Sequence, residues 1–513
     1  MTRAAALMVQ GTGSDVGKSL VVAGLCRLFA ERGLAVRPFK PQNMSNNAAV
    51  TVDGGEIGRA QALQAKACRT APLADMNPVL LKPQGERTAQ VVVQGQAQGA
   101  TSATGYRDLK AGLMPHVLDS FARIEAAAEL VIAEGAGSPA EANLRENDIA
   151  NMGFAEAADL PVILVADIER GGVLAALVGT HALLSESERA RVKGYVINKF
   201  RGDPALFAPA IDIVETHTGW PCLGLLPWFH DAAKLPAEDG MALPSRTESR
   251  STAAHDHHDA HSHDNDDAKR EKTVRIVAPR WPRVGNFDDL DPLAAEPNVR
   301  LTVVAPGEPL PPADMILLPG SKATRADLQT LYDSGWDADI AAHLERGGKL
   351  FGICGGYQML GRVVRDPLGL EGPAGETPGL GLLDIDTEMT ETKALRHVSG
   401  SHVASGQPIG GFEMHMGVSD GPGRDKPFAI IGNNAEGARS DDGRVAGTYL
   451  HGLFGSDAFR RAFLAELGVA SRLDNYDALI DATLDKLAAH IADHVDVERL
   501  LEIAGDRRTD DND

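Results

Sequence analysis

The sequence predicts an α/β protein of two parallel-sheet domains, and three observations lead to that class. A chain of 513 residues is longer than one compact core organises, so two domains of ordinary size are expected. Short apolar runs alternate with helical patterns in two separate stretches, the rhythm of strands buried on both faces by crossover helices. Between the stretches, from about 245 to 272, the composition collapses into Ser, Thr, His, Asp and Lys, from which no core can form.

In the first stretch the apolar runs fall at 5–10, 35–40, 130–134, 161–167 and 193–198, with helical patterns such as 18–31 and 56–68 between them. In the second they fall at 274–278, 300–304, 314–318 and 349–353. From 476 to 504 the pattern is helical, and 506–513 is a polar tail expected to fray. The expected boundaries are 1–235 for the first domain, 236–272 for a flexible His/Asp-rich linker, 273–465 for the second domain, and 466–513 for a C-terminal helical segment and tail. The linker histidines, His255, His257, His258, His261 and His263, suit divalent metals chemically, whereas a flexible segment fixes no ligand geometry and reads as a tether.

Composition bounds the function. Hydrophobic residues make up 43% and charged residues 24%, as in soluble proteins, and no apolar run approaches the roughly 18 residues of a membrane span. The start of the chain turns at once into Gly-rich sequence and reads as a strand rather than a signal peptide. Four scattered cysteines, Cys26, Cys68, Cys222 and Cys354, form no disulfide or metal framework and suit a reducing compartment, so a cytoplasmic protein is expected. A net charge of −21 argues against nucleic acid or an anionic membrane as partner. Oligomeric state is left open.

Gly11-Thr12-Gly13-Ser14-Asp15-Val16-Gly17-Lys18-Ser19 follows a predicted strand and opens a predicted helix, the context in which backbone N–H groups cradle phosphates. Gly11, Thr12, Gly13 and Gly17 would shape the loop, Lys18 would reach the terminal phosphates of a nucleotide, and Ser19 would hold Mg²⁺. The strict pattern has glycine where Thr12 stands, so the loop is a variant. Glu134 ends a buried strand beside Gly135 and Gly137, where a second Mg²⁺ ligand is needed. Asp53 is another metal candidate, with a plain turn aspartate as the alternative. Asn198, at a strand end, is placed to read a base edge or simply to terminate the strand. Phe39-Lys40-Pro41-Gln42-Asn43-Met44-Ser45-Asn46-Asn47 packs a lysine and four amides, Lys40, Gln42, Asn43, Asn46 and Asn47, into one loop, a donor set for a substrate rich in carboxylates and amides.

In the second stretch, Gly352-Ile353-Cys354-Gly355-Gly356 between a buried strand and a helical pattern is a nucleophile elbow bearing sulfur. A helix N-terminus behind it would favour thiolate. His451, in Tyr449-Leu450-His451-Gly452, is the candidate base. The turn Leu318-Pro319-Gly320-Ser321, with Gly355, is the candidate oxyanion site, and Gln358 is grouped with these residues as glutamine-binding.

The variant loop with Glu134 and Asn198 resembles the dethiobiotin-synthetase-like branch of P-loop proteins. The elbow with His451 resembles the class I, triad-type glutamine amidotransferase domain. That family carries a glutamate two residues beyond the histidine. Leu453 stands there instead, so either the third member comes from elsewhere or a Cys-His pair suffices; Glu413 and His415 are weak candidates. Across about 5–235 and 273–458, including Glu134-Gly135-Ala136-Gly137-Ser138 and Arg283-Val284-Gly285-Asn286-Phe287-Asp288-Asp289-Leu290-Asp291, the chain resembles the cobyric acid synthase family. The resemblance implies an N-terminal P-loop NTPase-like domain that activates carboxylates with ATP and Mg²⁺, and a class I glutamine amidotransferase-like C-terminal domain. It further implies a corrinoid substrate, adenosylcobyrinic acid a,c-diamide, amidated at b, d, e and g, with no tightly bound prosthetic group. Two alternatives stay open: the sister activity on the a and c carboxylates, and a P-loop regulatory protein with an inactive amidotransferase module.

Overall fold

A computed structural model of the chain describes residues 3–85, 88–238 and 272–506. The linker histidines and the tail 507–513 lie outside the described residues. The chain forms two compact units. One comprises Met1–Glu238 together with Asp477–Asp513, the other Asp239–Tyr476.

The first unit is built on a six-stranded parallel sheet in the order Cys222–Pro227, Val192–Phe200, Val162–Asp167, Ala5–Gly11, Leu130–Glu134, Val36–Phe39. Two adjacent interior strands, Ala5–Gly11 and Leu130–Glu134, are buried along their whole length, which is why they read as continuous apolar runs. Strand Ala5–Gly11 lies between strands reached by crossovers of opposite sense. Its carboxyl end is thus a topological switch point, where open α/β sheets bind ligands. A ring cluster of Phe39, Phe121 and Phe154 fills the core on one side of this sheet.

Two features depart from the sequence reading. Residues 42–102 contain a second, mostly antiparallel sheet, Gln42–Met44, Val79–Pro83, Thr88–Val93 and Gln96–Ser102. Beside it lies the hairpin Ala48–Val50 with Glu56–Gly58, so the helix expected from 56 begins only at Arg59 and runs Arg59–Ala67. The amide-rich loop is therefore anchored at both ends by strands. The C-terminal pattern resolves into Tyr476–His494 and Val497–Gly505, broken where the Asp496 side chain caps the second helix by accepting from Arg499 N. These helices pack in the first unit against Lys18–Glu31 and its sheet. A Cβ on Gly24 would lie 2.3 Å from Ile491 Cδ1 and 2.9 Å from Leu487 Cγ. Buried Arg27 pairs with Asp481 and Asp485. Gly224 bridges to Val495.

The second unit has a sheet in the order Val299–Val304, Val274–Pro279, Met315–Leu318, Lys349–Ile353, Val445–Thr448, Ala438–Arg439, parallel except for the last strand. A seven-stranded, largely antiparallel sheet joins it, dominated by Asp386–His402 paired with Pro408–Asp420. This sheet is absent from the sequence reading. Asp386–His402 is largely solvent-facing and rich in charged and hydroxyl side chains, so it carries little of the apolar signal that marks a buried strand. Among the described residues no helix is long and apolar enough to cross a membrane.

Candidate active sites

In the second unit, strand Lys349–Ile353 runs straight into Cys354, whose backbone adopts φ 49°, ψ −107°. Such a conformation costs a non-glycine residue of order 1–3 kcal/mol and persists only where its surroundings enforce it. They do so here through glycines. A Cβ on Gly352 would meet Gly356 O at 2.6 Å, and one on Gly356 would meet Leu318 O at 2.1 Å. Cys354 N donates to Thr448 O at 2.8 Å, and the buried thiol is 3.8 Å from Met414 O. The helix behind it, Gly355–Met359, has five residues. The expected dipole assistance is therefore small, since partial charge at a helix end builds from aligned peptides.

A neighbouring imidazole supplies what the short helix does not. His451 ends the strand Leu450–His451, paired in register with Phe412, whose ring stacks on it. His451 is 2% exposed, and its Nδ1 lies 2.7 Å from Asp289 Oδ2. Asp289 also accepts Gly452 N at 2.6 Å through Oδ1. Burial opposes a charge on His451, but Asp289, and after it the Cys354 sulfur, overcome this and push its pKa up to about 10. Asp289 is thus the orienting carboxylate that the sequence reading left open. It lies on the 3₁₀ turn Phe287–Leu290, 162 residues before the histidine. The other candidates are engaged elsewhere. Glu413 accepts from Arg396 Nε at 2.7 Å. His415 stacks on Tyr449 at 3.7 Å, accompanies Gly417 O, and is driven by burial down to about 4. Leu453, in the place of the family glutamate, is fully buried.

Gly320–Ser321 pairs antiparallel with Val284–Gly285 and abuts the elbow. A Cβ on Gly320 would lie 3.0 Å from His451 Cε1, and one on Gly355 would lie 2.7 Å from Ser321 N. Trp281 Nε1 holds Gly320 O at 3.1 Å, and Ser321 Oγ donates to Asp327 at 2.5 Å. Burial raises Asp327 to about 7. The backbone of Gly320 is therefore beside the imidazole, and that of Ser321 beside Gly355, the residue that follows Cys354. Gln358 is 2% exposed, with Oε1 accepting from Thr324 Oγ1 at 2.8 Å and Nε2 directed at Tyr449 OH, contacts that brace the elbow.

In the first unit, Gly11 to Ser19 form a tight loop at the switch point. A Cβ on Gly11 would strike Val16 Cγ2 at 2.6 Å, and Gly17, at φ 93°, has Asn198 Nδ2 where a Cβ would be, at 2.2 Å. Asn198 donates to Val16 O at 2.8 Å, so its amide supports the loop backbone. Thr12 N is bound to Val165 O, and Gly13 has open space beside it, its nearest side-chain atom 3.8 Å from a would-be Cβ. Lys18 Nζ donates to Gly13 O at 2.8 Å and Gly137 O at 3.0 Å; burial lowers its pKa against the opposing pull of Glu134.

Ser19 Oγ lies 2.7 Å from Glu134 Oε1 and 2.6 Å from Glu238 Oε2. One hydroxyl proton cannot serve both; Ser19 Oγ with the Glu134 carboxylate is the kind of oxygen pair Mg²⁺ prefers. Asp53 is not brought to this set, because its carboxylate accepts Ala74 N and acts as a turn residue. Lys40 Nζ contacts Glu134 at 2.8 Å and Glu238 at 2.5 Å. Burial disfavours its charge, but the two carboxylates hold it well above the ordinary lysine range. Gln64, not singled out in the sequence, donates to Glu134 Oε2 at 2.5 Å.

The rest of the loop divides. Gln42 accepts from Tyr106 OH at 2.6 Å, and Asn43 donates to Gln61 at 2.9 Å. Asn46 Oδ1, Asn47 Oδ1, Gln61 Nε2 and Gln64 Oε1 are buried without partners, an unusual concentration in one neighbourhood and one that a polar ligand would relieve.

The pairing of a phosphate-type loop with a thiol elbow defines a nucleotide-binding domain fused to a glutamine amidotransferase, the class of glutamine-dependent amidating ligases. Residues 7–241 match the CobQ/CobB/MinD/ParA nucleotide binding domain, and 275–459 match the CobB/CobQ-like glutamine amidotransferase domain. The chain is 57% identical over 500 residues to the cobyric acid synthase of Paracoccus denitrificans (strain Pd 1222), spanning 97% of this chain and 99% of that one. It is 56% identical over 499 residues to that of Jannaschia sp. (strain CCS1), with the same coverage, and 55% identical over 503 residues to that of Sphingopyxis alaskensis (strain DSM 13593 / LMG 18877 / RB2256), at 98% and 99% coverage. The chain belongs to the cobyric acid synthase family.

Proposed function

We propose that this chain converts adenosylcobyrinic acid a,c-diamide to cobyric acid by four ATP-dependent amidations, at the b, d, e and g carboxylates, with glutamine as nitrogen donor. The observation that carries the amide-forming chemistry is the buried Cys354, His451 and Asp289 set, encoded in one chain with a Lys18/Ser19 phosphate loop. Neither half accounts for the other except as ammonia source and ammonia consumer.

At the elbow, the Cys354 sulfur attacks the side-chain amide carbon of glutamine while backbone N–H groups near Ser321 and Gly355 receive the oxyanion. His451 Nε2 carries the thiol proton to the departing nitrogen, and ammonia leaves. Asp289 holds the ring in the tautomer this requires. Water then cleaves the thioester and releases glutamate. In the first unit a substrate carboxylate oxygen attacks the γ-phosphorus of ATP and ADP leaves. Ammonia displaces phosphate from the acyl phosphate and gives the amide. Lys18 neutralises the phosphates, and Ser19 with Glu134 would hold Mg²⁺, which screens the charge of the transferring group. Lys40 and the amides of Asn43, Asn46 and Asn47 receive the peripheral carboxylates and amides of the corrinoid. The four scattered cysteines suit the cytoplasm.

Mass spectrometry of the corrinoid after incubation with protein, ATP and glutamine tests this directly. Four oxygen-to-amide exchanges are expected. Two exchanges on a substrate lacking the a and c amides would assign the sister reaction, and none, with no glutamate released, would reduce the amidotransferase unit to a binding module.

A further inference from the structure

A residue that reaches into the nucleotide end belongs to no motif. Glu238 ends the described part of the first unit, beyond the last sheet strand. One carboxylate oxygen lies 2.5 Å from Lys40 Nζ and the other 2.6 Å from Ser19 Oγ. The main chain around it is tied to the same loop: Ser45 Oγ donates to Glu238 O at 2.9 Å, and Asn47 Nδ2 donates to Ala237 O at 3.2 Å. One carboxylate and two amide carbonyls thus occupy Ser19, Lys40, Ser45 and Asn47. Those are the chemical groups a corrinoid periphery presents, carboxylates beside carboxamides. Charge agrees. Lys18 and Lys40 face Glu134 and Glu238, two buried cations against two carboxylates, with the exposed Asp15 a weaker influence on Lys18. Both lysines would otherwise be buried cations with one counter-ion between them, an expensive arrangement.

We propose that Lys40, Ser45 and Asn47 form the subsite for the reacting carboxylate, and that Ala237–Glu238 is its built-in occupant, reaching also to the Mg²⁺-site hydroxyl of Ser19, a latch that substrate and Mg²⁺-nucleotide must displace. The identity of the displacing carboxylate rests on the corrinoid reading above; the latch does not. A metal-ligand role would use the carboxylate alone and leave the two carbonyl contacts without a purpose, whereas a stand-in for substrate accounts for the contacts to Lys40, Ser45 and Asn47 together. An apparent affinity is weakened by the fraction of molecules in which the latch is closed, so opening it tightens binding.

The test uses the full-length protein with Glu238→Gln, which keeps shape, and Glu238→Ala, which removes every side-chain contact. At a side chain one-quarter exposed, both variants are expected to fold, checked by their melting profiles. Calorimetry with Mg²⁺ and a non-hydrolysable ATP analogue should show affinity rising about threefold to tenfold in the Ala variant and less in the Gln variant. The corrinoid KM should fall by a similar factor, with kcat held within about twofold. Unchanged nucleotide affinity and KM would overturn the latch. So would a loss of nucleotide affinity with a hundredfold drop in kcat, which would make Glu238 a ligand of the cation. Tighter nucleotide binding in a protein whose wild type amidates no corrinoid would leave the latch standing and remove the substrate assignment.

Discussion

Replacing Asp289 by Asn probes the amidotransferase centre where its chemistry is most exposed to refutation. The substitution keeps the size of the side chain and the Oδ1 acceptor for Gly452 N. It places an NH₂ group 2.7 Å from His451 Nδ1. Two donors cannot face each other, so the ring must carry its proton on Nε2 and can no longer accept the thiol proton there. The electrostatic loss adds to this. His451 stands at about 10 against an ordinary 6.5, a shift of order 5 kcal/mol shared between Asp289 and Cys354 and net of burial. Assigning Asp289 about half gives 2–3 kcal/mol, or roughly 10²-fold in rate, and the wrong tautomer extends this toward 10³-fold. Glutamate release from glutamine is the assay, with ammonia-driven amidation measured in parallel and expected to stay within about twofold.

Stability carries the same signature. A histidine whose pKa is raised on folding contributes fully below its unfolded value near 6.5 and loses that contribution as pH rises through about 10. The urea midpoint of the native protein should therefore fall across that window and that of the Asn variant should be flatter. Glutaminase activity within threefold of wild type, or equal loss of both nitrogen sources, would refute the orienting role.

Cys354→Ala should abolish glutamine use and spare amidation with ammonium salts, followed by amide formation; loss of both would give the thiol another task. Lys18→Ala should stop amidation with either nitrogen source, by about 10²-fold or more for a buried phosphate-neutralising cation, and retained activity would remove the phosphate loop from the mechanism. Gly24→Val, whose Cβ would overlap Ile491 and Leu487, should cost about 2–3 kcal/mol in urea unfolding, read together with nucleotide affinity; an unperturbed midpoint would mean the two helices separate at no cost.

The features legible in the sequence are those that chemistry confines to a few consecutive residues. The loop from Gly11 to Ser19 needs Gly11 and Gly17, and the turn around Cys354 needs Gly352, Gly355 and Gly356, because a Cβ there would strike backbone or side chain within 3 Å, and that necessity is written locally. Glu134 was legible because a carboxylate ending an apolar strand is conspicuous. Asp289 was not, since in Phe287-Asp288-Asp289-Leu290-Asp291 three acids stand nearly side by side and only tertiary folding selects the one that meets His451. Asp53 misleads for the converse reason. It has the right chemistry near a motif but turns to its own loop at Ala74. Glu238 lies in a stretch with no periodicity, so its partners are visible only in three dimensions.

The closing helices of the first unit have a further consequence for how the molecule comes into being. On the ribosome the phosphate loop and its helix emerge early, yet Ile491, Leu487 and Asp481, which cover Gly24 and Arg27, follow only after the whole second unit has been translated. Roughly 240 residues at about 5–20 residues per second leave an interval of about 12–50 s. Through it the helix Lys18–Glu31 waits with one apolar flank open to the cell's chaperones. A message broken within the second unit would release a chain whose nucleotide-binding half never receives its cover, so nascent fragments should be poor consumers of nucleotide and good clients of proteolysis.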